Sequence, residues 1–176
     1  MRQDDLYLEA AETYAAPLGR LVRAYEAEPE RRRDLLQEIH IALWRSFEIY
    51  ESRCSLRTWV YRIAHFTAAS HAIKRNRLNR QLVSIEEIEA APGPANTERN
   101  VEERLALERL LELIQRLKPI DRQLMLLYLE DLDTAAIGEI TGVSPPNVRK
   151  KIYRIKSILA RQFHEGETHH DESVSK

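Results

Sequence analysis

Arg149, Lys150, Lys151, Arg154 and Lys156 crowd the stretch Gly142–Leu159, GVSPPNVRKKIYRIKSIL, which holds no Asp or Glu. Such side chains can do two things to a nucleic acid. Lys and Arg neutralise phosphates, and Arg or Asn can also hydrogen-bond base edges in the major groove. A second acid-free stretch, Arg53–Arg80, interleaves Arg53, Arg57, Arg62, Lys74 and Arg75 with Trp59, Tyr61, His65 and Phe66. Cations hold a phosphate backbone while aromatic faces receive unstacked bases, a combination suited to single-stranded or opening DNA. Trp59 lies on the apolar stripe of its own segment and serves a core equally well. Tyr61, Arg62 and His65 lie off that stripe. A third segment, DLLQEIHIALWRSF (34–47), is different: Asp34, Gln37 and Glu38 could meet a basic protein partner, although an ordinary solvated helix is the commoner origin of such residues.

Chemistry of other kinds is missing. His65 and His71 are six residues apart and do not share a helical face, while His164, His169 and His170 cluster near the end of the chain. There is no glycine-rich phosphate cradle. Cys54, beside Arg53, is the only cysteine, so no intrachain disulfide can form and a reducing cytoplasm is the simplest setting. No enzyme activity, cofactor or metal is expected.

The elements that must position these residues are helices. Leu36, Ile39, Leu43, Phe47 and Tyr50 fall at steps of three and four, as do Leu56, Trp59, Val60, Ile63 and Thr67, and again Leu107, Leu110, Leu111, Ile114 and Leu117. Pro119 suits the first turn of a helix, and DRQLMLLYLE (121–130) is apolar almost all round, as in a short central helix. Near the C-terminus, Asp133 suits an N-cap, Gly142 a left-handed C-terminal cap, Ser144 a second N-cap and Pro145 a first helical position. Val148, Ile152, Ile155 and Leu159 form one apolar stripe, which displaces the bases onto other faces. A short helix, a glycine turn and a basic second helix make a helix-turn-helix. Pro146 disfavours helical geometry at Pro145, which argues for a start one residue later.

The chain of 176 residues carries a formal net charge of −1, so the basic blocks are offset elsewhere. The offset is concentrated in Glu86–Glu103, with six Glu against one Arg, around the Pro- and Gly-containing EAAPGPANTERN. The fold expected is all-α: two small helical domains, 1–82 and 104–164, the second a helix-turn-helix, joined by a flexible acidic linker, 83–103, with a disordered tail, 165–176. No apolar run approaches the roughly 18 residues that span a bilayer, and MRQDDLYLEAAETY lacks the apolar core of an export signal.

The order of DLLQEIHIALWRSF, SLRTWVYRIAHFTAASHAIKRNR and LIQRLKPIDRQLMLLYLEDLDTAAIGEITGVSPPNVRKKIYRIKSIL resembles the extracytoplasmic-function group of bacterial sigma factors, over residues 5 to 162. The resemblance implies that Asp34, Leu35, Gln37 and Glu38 dock on core RNA polymerase. It places Arg53, Cys54 and Ser55 in a loop that captures a flipped promoter base. Arg57, Trp59, Tyr61, Arg62 and His65 would line the melted minus-ten region, with His71 and Arg75 further along the same helix. Ser144, Pro146, Asn147, Arg149 and Lys150 would face the minus-thirty-five element, with Lys151 and Arg154 on phosphates. It also implies an anti-sigma partner and a monomer when free of partners. Cys54 stands where the family commonly has glycine, and Pro145-Pro146-Asn147 replaces its usual entry to the recognition helix. Two other readings compete. A free-standing helix-turn-helix regulator leaves the aromatic basic helix unexplained, and a helical protein-interaction adaptor leaves both basic faces unexplained.

Overall fold

The computed structural model describes residues 2–79 and 99–171, with side chains over 2–74 and 105–162. Every regular element among the described residues is helical: α1 (Gln3–Thr13), α2 (Ala15–Tyr25), α3 (Pro29–Ser46) running into a single 3₁₀ turn (Phe47–Ile49), α4 (Leu56–Asn79), α5 (Arg99–Gln115), α6 (Pro119–Leu129), α7 (Thr134–Thr141) and α8 (Pro145–Asp171). Pro29 and Pro119 each open a helix, where a missing N–H costs nothing.

The centre of the first domain is α3 against α4. On α3 and into the 3₁₀ turn the buried stripe is Leu35, Ile39, Leu43 and Phe47, a strict four-residue step. On α4 it is Val60, Ala64, Ala68 and Ala72. The alanines lack bulk, so the helix they belong to can lie close to its neighbours, and α1 and α2 close the same cluster with Leu6, Ala10, Leu18, Leu21 and Tyr25. In the second domain α7 and α8 pack on α6 around Leu124, Leu127, Ile137, Ile140, Val148 and Ile152.

The two halves share their cores. Leu111, Ile114, Leu117, Met125 and Leu126 belong to the same apolar cluster as the first domain, and Tyr61 of α4 belongs to the cluster of the second. The reason lies in α6, which is apolar on opposite sides. Leu124 and Leu127 face α7 and α8, while Met125 and Leu126 join the other cluster. Arg122, also on α6, is fully buried. It donates to the carbonyls of Gln115 and Leu117 and lies 4.8 Å over the ring of Tyr25.

The acidic linker expected at 83–103 lies outside the described residues up to 98, and its last part opens α5. The tail expected to be disordered from Glu165 is helical as far as Asp171. Between Arg161 and Asp171 Gly166 is the residue that most disfavours a helix, and the segment extends one already nucleated by Ile155, Ile158 and Leu159.

Candidate nucleic-acid interface

The helix-turn-helix is built from four local devices. The Asp133 carboxylate accepts from the backbone N–H of Ala135 and Ala136 at 3.0 and 2.7 Å, capping α7. Gly142 ends α7 at φ +74°, a left-handed conformation that glycine adopts without Cβ strain, and its N–H donates to the Gly138 carbonyl at 2.9 Å. A Cβ on Gly138 would stand 2.8 Å from the Val143 carbonyl oxygen, so only glycine lets the turn approach α7 this closely. Beyond the turn, the Ser144 carbonyl accepts from Val148 N–H, and α8 begins at Pro145 rather than Pro146. The Pro146 ring therefore displaces the start of the helix by less than the residue expected.

Burying Val148, Ile152, Ile155 and Leu159 fixes the outer face of α8. Ser144, Pro146, Asn147, Arg149, Lys150 and Arg154 are all exposed. Tyr153, 76% exposed among them, carries no charge and was not singled out from the sequence. Its signal is its position one step from Lys150 and Arg149 on the same face. Lys151 departs from expectation. Its ammonium sits 2.7 Å from the Asp121 carboxylate, which is 3% exposed, so the side chain ties α8 to α6 instead of pointing outward.

The loop before α4 is ordered by its own side chains. Ser52 takes φ +56°, the Tyr50 hydroxyl donates to the Cys54 carbonyl at 2.7 Å, and the Ser55 hydroxyl accepts from Thr58 N–H at 3.0 Å, capping α4. Ser55 is thereby committed to the helix start. Behind the loop, Trp59 stacks at a tilt 5.2 Å from Tyr50 and donates from Nε1 to Ser46. Ile49, Tyr50, Glu51, Arg53, Cys54, Trp59 and Arg62 from the first domain, with Glu139 from α7, line an open cleft of about 380 Å³. A cleft with aromatic walls and a guanidinium at its edge can accept a planar base beside a phosphate.

The α4 residues expected on melted DNA divide into groups. Arg53 and Arg57 are exposed, while Cys54, Trp59 and Arg62 are half-buried at the cleft. Tyr61 and His65 are buried. Burial holds the His65 imidazole down at a pKa of about 3, so it is a neutral core residue at any physiological pH. Tyr61 donates to Glu130 at 3.2 Å, and burial, then the Glu130 carboxylate, push its phenol well above the usual range. His71 is held between Glu26 at 3.1 Å and Glu38 at 3.3 Å. Arg75 lies on α4, but its side chain falls outside the described residues. Phe66, by contrast, is 72% exposed, one turn along from Arg62. The mixture of aromatics and bases was legible in the sequence, but which aromatic faces outward was not.

On α3, Asp34, Gln37 and Glu38 are exposed on one face, and Ile41, 43% exposed, completes it at the i, i+3, i+4, i+7 spacing. Leu35 is fully buried and belongs to the core, so its part in any docking is to hold the helix.

No helix among the described residues is long and apolar enough to cross a membrane, and no group of three or more His, Cys, Asp or Glu among them could hold a metal ion. No curated protein matches the chain in sequence. A solved structure described as that of CnrH in complex with the cytosolic domain of CnrY shares the fold, with a TM-score of 0.64 at 14% identity over 90% of this chain and 88% of that one. Two family models match in series. The first, sigma-70 region 2, covers residues 10–78, and the second, sigma-70 region 4, covers 107–159. Those spans contain the α3–α4 unit with its cleft and the helix-turn-helix respectively, and the families they represent are regulatory. The chain therefore belongs to the sigma-70 family, in its extracytoplasmic-function group, and is a sigma factor that directs transcription initiation by RNA polymerase at promoter DNA.

Proposed function

We propose the following division of labour within that activity. The outer face of α3, Asp34, Gln37, Glu38 and Ile41, docks on core RNA polymerase. Three acidic or polar groups around one exposed apolar residue suit a protein surface of opposite charge. The 51–55 loop and its cleft take up an extruded minus-ten base, with Trp59 as wall and Arg53, Arg57 and Arg62 on phosphates. Phe66 offers an open face for a neighbouring base. Exposed Asn147 and Arg149 read base edges upstream, Lys150 and Arg154 hold the backbone, and Tyr153 packs on the groove wall.

The observation that carries this reading is the α8 surface, where Pro146, Asn147, Arg149, Lys150, Tyr153 and Arg154 all face outward from a helix held by Val148 and Ile152. The protein works in the cytoplasm, without catalytic chemistry of its own, as a monomer when free of partners. An anti-sigma partner restrains it. The test is run-off transcription with purified core polymerase on a library of promoter fragments. Promoter-specific initiation is expected. Tight binding to duplex DNA without any binding to core polymerase would identify a free-standing regulator, and binding to neither DNA nor polymerase would identify an adaptor.

A further inference from the structure

The resemblance carries His71 along melted DNA after Arg62, but the turn of α4 takes it elsewhere. At about 100° per residue, His71 stands about 180° around the helix from Arg62 and about 140° from Phe66. It lies instead three residues beyond Ala68 and seven beyond Ala64, on the ridge that packs against α3. There its two ring nitrogens meet two carboxylates from different parts of the domain. Nε2 is 3.1 Å from Glu26, the residue that ends α2, and Nδ1 is 3.3 Å from Glu38 of α3. The Glu26 side chain is 1% exposed, that of His71 20% and that of Glu38 52%. A neutral imidazole has one N–H and can donate to one carboxylate, whereas the doubly protonated ring donates to both. Glu26 is thus the buried anchor, His71 the bridge, and Glu38 the end that reaches solvent. The bridge uses Oε2 of Glu38, which leaves Oε1 open to a partner.

We infer that His71 is a positioning residue for docking on core polymerase and not a DNA contact: it carries a cation between Glu26 and Glu38 and fixes the Glu38 carboxylate on the outer face of α3. This rests on the assignment of that face to polymerase made above. An untethered glutamate at the surface must give up its rotamer freedom when a partner binds, and that ordering weakens the complex. Here one oxygen of Glu38 is bonded to a ring that is itself held on a buried carboxylate, so much of the ordering precedes the encounter. The ring also spaces the two carboxylates with a positive charge between them.

The test is a double-variant cycle read as affinity for purified core polymerase. The unaltered chain, H71Q, E38Q and H71Q/E38Q are each dye-labelled at the N-terminus and titrated with core by fluorescence anisotropy. H71Q should bind core about three- to tenfold more weakly than the unaltered chain, with binding of an upstream duplex oligonucleotide unchanged. Once Glu38 is neutral its position no longer matters, so H71Q should cost little further in the E38Q background. H71R, which keeps a cation with forked donors, should recover most of the loss. H71Q strands the Glu26 carboxylate, so E26Q/H71Q, which removes charge and bridge together, replaces it in the cycle if H71Q is unfolded by circular dichroism. Unchanged core affinity in the folded variant overturns the inference. So does an equal loss in the presence and absence of the Glu38 carboxylate, the mark of a merely structural histidine, and so does an H71R no better than H71Q. In all these cases a weakened E38Q leaves the assignment of α3 to polymerase standing, and only the positioning role fails. If E38Q binds core as tightly as the unaltered chain, that assignment of Glu38 is itself at fault.

Discussion

Lys151 gives the sharpest division between an outward and an inward base. If it held a phosphate, Lys151→Met would weaken DNA binding and leave stability alone. The structure places its ammonium 2.7 Å from Asp121, whose carboxylate is 3% exposed, while the Lys151 side chain is 43% exposed. Removing one partner of a fully buried pair costs about 3–5 kcal/mol, because the other charge stays behind unpaired. Water reaches the lysine end, which screens the pair, so about 2 kcal/mol is the reasonable expectation. In a chain of this length that lowers the melting midpoint by about 4–8 °C. The assay is urea unfolding of Lys151→Met, Asp121→Asn and the double variant, beside Lys150→Met as an exposed control. The cycle should show coupling between 121 and 151, with Lys150→Met within about 0.5 kcal/mol of the unaltered protein. Additive effects at 121 and 151, together with a loss of DNA affinity from Lys151→Met equal to that from Lys150→Met, would refute the reasoning.

Further outcomes can be checked separately. Arg149→Ala should cost about 1–3 kcal/mol at one upstream promoter position and little elsewhere, measured by competition among single-base variants of the upstream site. Phe66→Ala should slow promoter opening, followed by permanganate reactivity of unpaired thymines, by the loss of one stacking contact worth about 1–3 kcal/mol; its upstream duplex binding should be unchanged. His65 is a base whose folded pKa is lowered from 6.5 to about 3. Between those values the unfolded chain takes a proton that the folded chain refuses, so stability falls as pH drops below about 6.5. His65→Leu should remove about 1.4 kcal/mol per pH unit of that slope in urea midpoints measured from pH 6.5 to 4.

The helix-turn-helix could be read from the sequence because its determinants are local. Asp133 caps a helix two and three residues away, and Gly142 answers a carbonyl four residues back. The register of α3 was harder. Leu35 and Leu36 are adjacent, and only the strict four-residue step Leu35, Ile39, Leu43, Phe47 shows which of them goes inward. On α4 the buried ridge is made of alanines, Ala64, Ala68 and Ala72, which add little to an apolar pattern, so Tyr61 and His65 looked free. The pairing of Arg20 with Glu130 joins residues 110 positions apart. Periodicity says that α6 is apolar on several sides, but not which helices those sides meet.

The close approach at Gly138 has a mechanical consequence. With the Val143 carbonyl 2.8 Å from where a Cβ would stand, α7 and the turn leading into α8 have no room to slide, and the buried Ile137, Ile140, Val148 and Ile152 clamp them further. The helix bearing Glu139 and the helix bearing Asn147 and Arg149 therefore travel as one lever. Arg62 of α4 meets Glu139 at 3.1 Å, so any shift of α7 against α4 also re-aims the exposed face of α8.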